Sequence, residues 1–203
     1  LPARPGHLCV GTRTGNLDRL SRRRLITYGV AQGLTNDYTR SVAETPDGAL
    51  WVGTIGGGLY RGVDGVFAPT ADEGSGVPRH AFVDAVLATR DGSVWYGASS
   101  GLFRAVAGEI KDRYLNEPWL RSDIATALCE DGEGGLWIGT SGSRLVHFKA
   151  GKFTQFPRRV ARGTITSLAQ QSDGSLWVGS DGGGLKRVRL GDTEVYSATN
   201  GLI

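Results

Sequence analysis

The residues best suited to bind a ligand lie in the connections between predicted β-strands, at 29–39, 70–83, 115–125 and 157–165. Connections vary while the scaffold beneath them stays rigid, so they often carry binding residues. Trp119 is followed by Arg121 and Asp123, and an indole ring beside charged groups suits stacking on a sugar ring with hydrogen bonds to its hydroxyls. The other ligand-binding candidates in these connections, or in the strands that they enter, are Tyr38, Arg40, His80 and Arg162.

These residue types do not indicate a catalytic or metal-binding arrangement. Two glycine-rich segments, 53–58 and 179–184, run from strand to strand, whereas a phosphate-binding loop runs from a strand into a helix. His7, His80 and His147 show no metal-ligand spacing. The segment 172–177 faintly resembles the Asp-box turn of sialidases, but a glycosidase also needs paired carboxylates or a tyrosine nucleophile. The sequence therefore predicts a protein that is not an enzyme and has no metal or cofactor.

A repeat of about forty residues positions these connections. Its signature is an acidic residue and Gly, then a short apolar strand with a tryptophan, then Gly; the tryptophans are Trp51, Trp95, Trp137 and Trp177. A worn copy has Cys9 at the Trp position, and successive copies are separated by 42, 44, 42 and 40 residues. Because a large flat residue at one place in every repeat packs between neighbouring repeats, we expect the four tryptophans to be buried.

Each repeat contains four predicted strands. A tight Asp-Gly turn joins the first strand to the second, because Gly accepts positive φ, and the tryptophan lies on the second strand. A segment such as Leu59-Tyr60-Arg61 begins the third strand, and a short piece such as 153–156 forms the fourth. Four short strands in about forty residues are typical of one blade of a β-propeller. The predicted fold is therefore all-β, a propeller of four-stranded antiparallel blades.

About five blades are present. We divide residues 1–203 into one partial blade and four full ones, at 1–28, 29–70, 71–115, 116–157 and 158–198. The tail at 200–203 restarts the phrase found at 32–35, so the chain holds five second strands but only four first strands. Five blades could close into a ring, since propellers have about four to eight. We expect instead a piece of a larger propeller, which could self-associate through its open blade edges.

Several candidate residues also have a structural interpretation. Trp119 could be a plug packed over the edge of a blade, and the arginines could form a solvated surface. Arg40 and Asp84 occupy the same column of adjacent repeats, which predicts a salt bridge between blades near the central channel.

Composition narrows the class of partner. The 203 residues include 32 glycines and carry a formal charge of +3, which fits a fold with many turns. Basic residues are scattered apart from 22–24 and 158–162, so we predict no nucleic-acid partner. No apolar run is long enough to span a bilayer, and no signal peptide is present. Since the chain begins without Met, we expect that any targeting segment has been removed.

The phrase at 33–37, continued at 42–54 and 56–61, resembles the two-component regulator propeller repeat. Four good copies and one worn copy cover essentially the whole chain. The resemblance implies one of the seven-bladed propellers that form the extracytoplasmic sensor part of bacterial histidine kinases, or of related diguanylate cyclases. It thus implies a periplasmic module of a membrane-anchored parent protein that binds a small molecule or oligosaccharide, often a carbohydrate fragment. The family motif is structural, so it identifies no ligand-binding residue.

Three functions remain open at this point. The first is a non-enzymatic sensor that binds a ligand. The second is an enzyme with a propeller fold, a lyase or glycosidase, because the blade repeats of streptogramin lyases have a similar spacing. The third is a protein-interaction scaffold. Glycan binding separates the first from the third, and turnover of polysaccharide or lactone substrates would reveal the second.

Overall fold

The computed structural model describes residues 7–11, 17–21, 24–70, 80–156, 160–189 and 192–196. Parts of the connections predicted at 70–83 and 157–165 lie outside these residues, as do Arg22, Arg23, Arg158 and Arg159. The chain forms two compact units, unit 1 at residues 1–115 and unit 2 at 116–203. The only helical turn in the described part is a 3-10 turn at Val30–Gln32, and no described helix is long and apolar enough to cross a membrane.

Unit 1 contains three antiparallel sheets whose strands follow one another in chain order. Sheet 1 consists of β1 (His7–Gly11), β2 (Leu17–Ser21) and β3 (Arg24–Tyr28). Sheet 2 consists of β4 (Thr39–Glu44), β5 (Leu50–Thr54), β6 (Gly58–Val63) and β7 (Val66–Pro69). Sheet 3 consists of β8 (Val83–Ala88), β9 (Val94–Ala98), β10 (Gly101–Val106) and β11 (Glu109–Tyr114).

Unit 2 contains two four-stranded antiparallel sheets. Sheet 4 consists of β12 (Ala125–Glu130), β13 (Leu136–Thr140), β14 (Leu145–Lys149) and β15 (Lys152–Gln155). Sheet 5 consists of β16 (Ile165–Gln170), β17 (Leu176–Ser180), β18 (Gly184–Arg189) and β19 (Asp192–Tyr196). The predicted all-β fold of four-stranded antiparallel blades is confirmed. The assignment of all 203 residues to one propeller domain stays a prediction.

The Asp-Gly turns form because the side chain and the glycine each supply one requirement. In sheet 2, the Asp47 carboxylate accepts a hydrogen bond from the Ala49 N–H at 3.2 Å, and Gly48 has a φ of 85°. Sheets 3 and 5 repeat this pattern, since Asp91 accepts from Ser93 and Asp173 accepts from Ser175, both at 3.0 Å. The repeated acids therefore serve turn geometry.

Every full sheet has a bulge at the same place in its first strand. The register shifts between Thr39 and Ser41, between Val83 and Ala85, between Ala125 and Ala127, and between Ile165 and Ser167. The extra residue bends the strand and redirects its side chain. The column predicted from sequence consists of these bulged residues, namely Arg40, Asp84, Thr126 and Thr166. The predicted salt bridge is present, with Arg40 Nε 3.1 Å from Asp84 Oδ1.

The cores lie between adjacent sheets of one unit. In unit 1, Trp51 and Leu59 of sheet 2 pack with Val83, Tyr96 and Phe103 of sheet 3. A second cluster joins sheets 1 and 2, and in unit 2 a third joins sheets 4 and 5. The glycine two residues after the tryptophan permits this approach in sheets 2 and 4. A Cβ at Gly53 would lie 2.7 Å from Val83 Cγ1, and a Cβ at Gly139 would overlap Ile165 Cγ2.

The prediction that all four repeated tryptophans are buried is only half correct. Each occupies the second position of the second strand of its sheet. Trp51 and Trp95 are buried, at 3% and 5% exposed, whereas Trp137 and Trp177 are half-buried. Trp137 also differs from the other three in its partner on the third strand, which is a histidine and not an arginine.

Candidate functional site

In each full sheet, the connection entering the first strand lies beside the turn between the second and third strands. The backbone N–H of Ile55 bonds the Tyr38 carbonyl at 2.9 Å, and Ser99 bonds Phe82 in the same way at 2.9 Å. Unit 2 repeats the contact between Ser141 and Ile124, and between Asp181 and Thr164. The predicted ligand-binding connections thus meet these turns at one end of each sheet, and we call this end the rim of the unit.

The rim of unit 1 exposes three large apolar side chains side by side. Tyr38 is 55% exposed, Phe82 49% and Ile55 37%. Ile55 and Phe82 belong to neighbouring sheets and form an isolated antiparallel β-bridge. Contiguous exposed apolar surface on a folded domain marks an interaction site more often than single exposed residues do. We call Tyr38, Ile55 and Phe82 the rim patch.

Polar groups fix the rim patch and offer hydrogen bonds around it. The Asn36 amide donates to the Ile55 carbonyl at 3.1 Å and accepts from the Tyr38 N–H at 3.0 Å. His80 Nδ1 lies 3.3 Å from the Gly56 carbonyl, so the tautomer protonated at Nδ1 donates there. Three predicted site residues, Tyr38, Arg40 and His80, thus belong to the rim of unit 1 or to the strand that enters from it.

In the rim of unit 2, the predicted site residues Trp119 and Asp123 are buried and contact other residues of the unit. Trp119 is 4% exposed and packs against Phe153, with ring centroids 5.4 Å apart. The carboxylate of Asp123, in a side chain only 5% exposed, accepts hydrogen bonds from the Thr140 hydroxyl at 2.8 Å and from Arg144 Nη1 at 2.5 Å. Trp119 therefore does not present its ring for stacking here, and it corresponds to the packed alternative.

Arg121 and Arg162 are the predicted site residues of unit 2 that remain exposed. Neither lies in a described ion pair. They are available to a ligand, or they form the solvated surface that was the alternative interpretation.

A second arrangement recurs at the opposite end of the sheets, near the Asp-Gly turns. In three sheets an arginine of the third strand stands opposite the repeated tryptophan, as in the pairs Trp51 with Arg61, Trp95 with Arg104 and Trp177 with Arg187. Each guanidinium carbon lies 5.8–5.9 Å from the indole centroid. The same guanidinium also pairs with the turn aspartate, at 3.2, 2.8 and 2.6 Å.

Hydrogen bonds lower the pKa of these turn aspartates. The Thr45 hydroxyl is the largest cause of the lowered pKa of Asp47. Partial burial opposes the effect at Asp91, but the Ser93 and Thr89 hydroxyls outweigh it and hold the pKa far below its ordinary value. The Ser175 hydroxyl and N–H lower the pKa of Asp173 to about 2. Carboxylates held ionised in this way are suited to structural pairing and not to general acid catalysis.

Sheet 4 has a histidine, His147, in place of the arginine that faces the tryptophan in the other full sheets. This difference was not predicted from the sequence. His147 stands opposite Trp137, and their rings stack with centroids 4.1 Å apart. His147 Nε2 lies 2.7 Å from Asp131 Oδ2, and Asp131 sits six residues before Trp137, not four. Aligning the third strands on their tryptophan partners would have placed His147 in the arginine column.

Two features of the sequence could have predicted the rim patch. Tyr38 and Phe82 each stand thirteen residues before their repeated tryptophan. Ile55 occupies a turn position that holds Ser99, Ser141 and Asp181 in the other repeats. Among the described residues, no group of three or more His, Cys, Asp and Glu side chains is placed to hold a metal ion.

Comparisons with known proteins agree with this architecture. The model of the two component regulator propeller family matches residues 33–56, 120–142 and 161–182. A search of curated proteins finds no match.

Among solved structures, the extracellular domain of a hybrid two component system from B. thetaiotaomicron is 20% identical with a TM-score of 0.80, over 100% of this chain and 28% of that one. A second such domain from B. thetaiotaomicron is 22% identical with a TM-score of 0.72, over 92% of this chain and 26% of that one. Virginiamycin B lyase from Staphylococcus aureus is 16% identical with a TM-score of 0.74, over 97% of this chain and 68% of that one.

At these identities the structural likenesses establish the fold alone. The chain spans about a quarter of the length of the two extracellular domains. The family match rests on the repeated segment itself, since each matched stretch runs from the connection that enters a sheet to the turn after its second strand. Three stretches of the chain thus match the repeat of the two-component regulator propeller family, as the sequence pattern indicated.

Proposed function

We propose that this chain is a non-enzymatic, ligand-binding part of an extracytoplasmic sensor protein. The observation that carries the proposal is the rim patch, where Tyr38, Ile55 and Phe82 are exposed together beside Asn36 and His80. Apolar surface with a few fixed hydrogen-bonding groups is the usual composition of a small-molecule site. The repeat family and its occurrence in two-component systems support the sensor role.

The ligand we propose is a small molecule or an oligosaccharide. A sugar ring has an apolar face that packs on aromatic side chains and hydroxyls that bond amides and imidazoles. Arg40 is an exposed cation of unit 1 that would extend the contact to an acidic group. Arg121 and Arg162 are exposed cations that could bind acidic groups at the rim of unit 2. Trp119 and Asp123 would act through the shape of the unit 2 rim, because both are buried.

A glycan array followed by calorimetry on the best hit tests this site. Phe82→Ala and Tyr38→Ala are expected to weaken binding by about tenfold or more, the loss of one aromatic anchor. Val66→Ala is the matched control, because Val66 is 69% exposed on β7 of the same unit but outside the rim patch. Unchanged binding in both rim variants would place the ligand elsewhere, and Arg121→Ala and Arg162→Ala then test the unit 2 rim.

The proposed location is the periplasm, with the parent protein anchored in the membrane. The extracellular domains of two-component systems with the same fold support this location. Protease digestion of spheroplasts from the native host is expected to degrade this part of the parent protein, and protection from protease would count against it. Self-association through blade edges stays a prediction, which sedimentation of the 203-residue chain measures.

An enzyme remains the second candidate because virginiamycin B lyase shares the fold. Turnover of a cyclic lactone peptide or a polysaccharide by the purified chain would overturn the non-enzymatic proposal. If the chain is instead a protein-interaction scaffold, no small molecule should bind it. The rim variants Phe82→Ala and Tyr38→Ala should then weaken the binding of a protein partner.

A further inference from the structure

Sheet 4 differs from the other full sheets at three positions that touch one another. In the third strand it has His147 where the others have Arg61, Arg104 and Arg187. Six residues before the tryptophan it has Asp131 where the others have Thr45, Thr89 and Gln171. Two residues before the tryptophan it has Gly135 where the others have Ala49, Ser93 and Ser175.

These three differences form one arrangement. Asp131 accepts backbone hydrogen bonds from Glu133 at 2.7 Å and from Gly135 at 2.6 Å, and it bonds His147 Nε2 at 2.7 Å. A Cβ at Gly135 would overlap the Asp131 carboxylate and would lie 2.9 Å from His147 Nε2. Glycine is therefore the residue that lets the histidine reach the displaced aspartate.

The arrangement leaves the indole N–H of Trp137 without a partner. In sheet 2, Trp51 Nε1 donates to the Thr45 hydroxyl at 3.3 Å. The corresponding residue in sheet 4 is Asp131, whose carboxylate bonds His147 and the turn backbone instead. Trp137 Nε1 is buried and has no hydrogen-bond partner among the described residues. A buried donor without a partner indicates that another acceptor belongs beside it.

A cavity of about 610 Å³ lies at this place, between sheets 4 and 5 of unit 2. One part of its lining is apolar and comes from Trp137, Phe156, Leu176 and Val188. Its volume falls within the range of small-molecule sites, roughly 300–1,000 Å³. Trp137 is half-buried, whereas Trp51, which also has a following sheet in its own unit, is 3% exposed.

The polar lining is balanced in charge, since Asp131 and Glu133 are matched by Lys149 and Arg189. Glu133 pairs with Lys149, and Asp131 is surrounded by hydrogen-bond donors. Gln170 and Gln171 present amide groups, of which Gln170 uses its oxygen to accept from the Gly132 N–H at 3.0 Å. An aromatic wall beside amides, an imidazole and paired charges suits a neutral ligand with one apolar face and several hydroxyls.

We propose that the cavity between sheets 4 and 5 binds a neutral saccharide ring, which packs against Trp137 and offers an acceptor to its indole N–H. The proposal rests on the proposed role of the chain as a ligand-binding module, but it uses a site separate from the rim patch. In this proposal, His147, Asp131 and Gly135 together leave the space that the ligand occupies.

The test converts sheet 4 to the pattern of sheet 3. The variant Asp131→Thr, Gly135→Ser, His147→Arg restores a threonine, a serine and an arginine as in Thr89, Ser93 and Arg104. Glu133 stands at the turn position of Asp91, four residues before the tryptophan, so the new arginine would share its carboxylate with Lys149. Because this combination folds in sheet 3, we expect the variant to fold, with its thermal unfolding and circular dichroism as checks. Trp137→Phe is a second variant, which keeps an aromatic ring and removes only the N–H.

Saturation-transfer NMR and calorimetry would use glucose, galactose, mannose, maltose and cellobiose, with glucuronate and arginine as charged probes. We expect a neutral sugar to bind, the triple variant to lose at least about tenfold in affinity, and Trp137→Phe to bind more weakly. Binding of a charged probe alone, full binding by the triple variant, or no binding of any sugar would overturn the proposal.

Phe82→Ala separates this inference from the proposed function. If Phe82→Ala loses the sugar and the triple variant keeps it, the rim proposal stands and this inference fails. If the triple variant loses the sugar and Phe82→Ala keeps it, the saccharide site is this cavity and the rim patch is not required.

Discussion

Two gaps between neighbouring sheets, one in each unit, are built on the same repeated tryptophan but differ in how they are closed. In front of Trp51, Arg61 spans the indole ring and the turn carboxylate, and the tryptophan is 3% exposed. In front of Trp137, the shorter His147 stacks on the ring and turns to Asp131, and a cavity remains. The backbone of the sheets is thus the same in both gaps, and the open gap occurs where His147, Asp131 and Gly135 replace the residues found in the other full sheets.

The largest difference should appear when each tryptophan is truncated. Trp51→Ala is expected to lower the free energy of unfolding by about 3–5 kcal/mol, because a large buried side chain leaves both lost contacts and a cavity. Trp137→Ala should cost clearly less, since its side chain is half-buried beside an existing cavity. Urea unfolding followed by circular dichroism measures both. Equal costs would mean that the two gaps are packed alike.

The next effect concerns the glycine that admits the His147 arrangement. Gly135→Ala should destabilise the chain by about 1–3 kcal/mol, because the added Cβ would overlap Asp131 and lie against His147. The matched change in sheet 2, Ala49→Gly, should cost less than about 1 kcal/mol, mainly through backbone entropy. A neutral Gly135→Ala would show that Asp131 and His147 can move apart without loss.

The sequence was sufficient for the fold because its signals are local and repeated. Asp47 and Gly48 specify one turn by a side-chain hydrogen bond and a positive φ, and the same pair recurs in register with a tryptophan. The salt bridge of Arg40 with Asp84 also followed from counting, because both residues occupy the bulge of their first strand.

The candidate sites were harder to predict because they depend on partners outside the repeat. Trp119 looked like a free aromatic ring, but Phe153, more than thirty residues later, covers it. His147 bonds Asp131, which stands six residues before its tryptophan, whereas the turn aspartates of the other full sheets stand four residues before theirs. A repeat of about forty residues does not predict this shift of two positions. Burial and side-chain direction decided both cases.

The turn aspartates of sheets 4 and 5 should also affect the stability of the chain in acid. Burial alone would raise the pKa of Asp131, but hydrogen bonds from His147, Glu133 and Gly135 lower it below its ordinary value. A group with a lowered pKa stabilises the folded state above its unfolded pKa, about 3.9, and loses that contribution as the pH falls through the folded value. Asp131→Asn should therefore flatten the decline of stability below about pH 4, measured by urea unfolding between neutral and acidic pH.

Asp173→Asn is the comparison in sheet 5. Its pKa is lowered to about 2, first by the Ser175 hydroxyl and also by Arg187. The same sign is expected, so this variant should also flatten the acid limb. A steeper acid limb in either variant would contradict the pairing described for that turn.

The smallest effect belongs to the contact that both the sequence and the structure identified most directly. Arg40 and Asp84 pair at 3.1 Å, but their side chains are 48% and 16% exposed. Water and salt screen such a pair, and holding a long arginine side chain costs entropy, so a coupling of about 0.2–1 kcal/mol is expected.

A double-mutant cycle of Arg40→Ala and Asp84→Ala measures that coupling free of the other effects of each change. The coupling should shrink when the ionic strength rises, because exposed charges are screened over roughly 10 Å at 0.1 M salt. A coupling well above 1 kcal/mol that resists salt would mean that the bulge column is a rigid ionic joint between sheets 2 and 3. A weak coupling leaves Arg40 free to exchange Asp84 for an acidic group on a ligand, which is the role proposed for it at the rim.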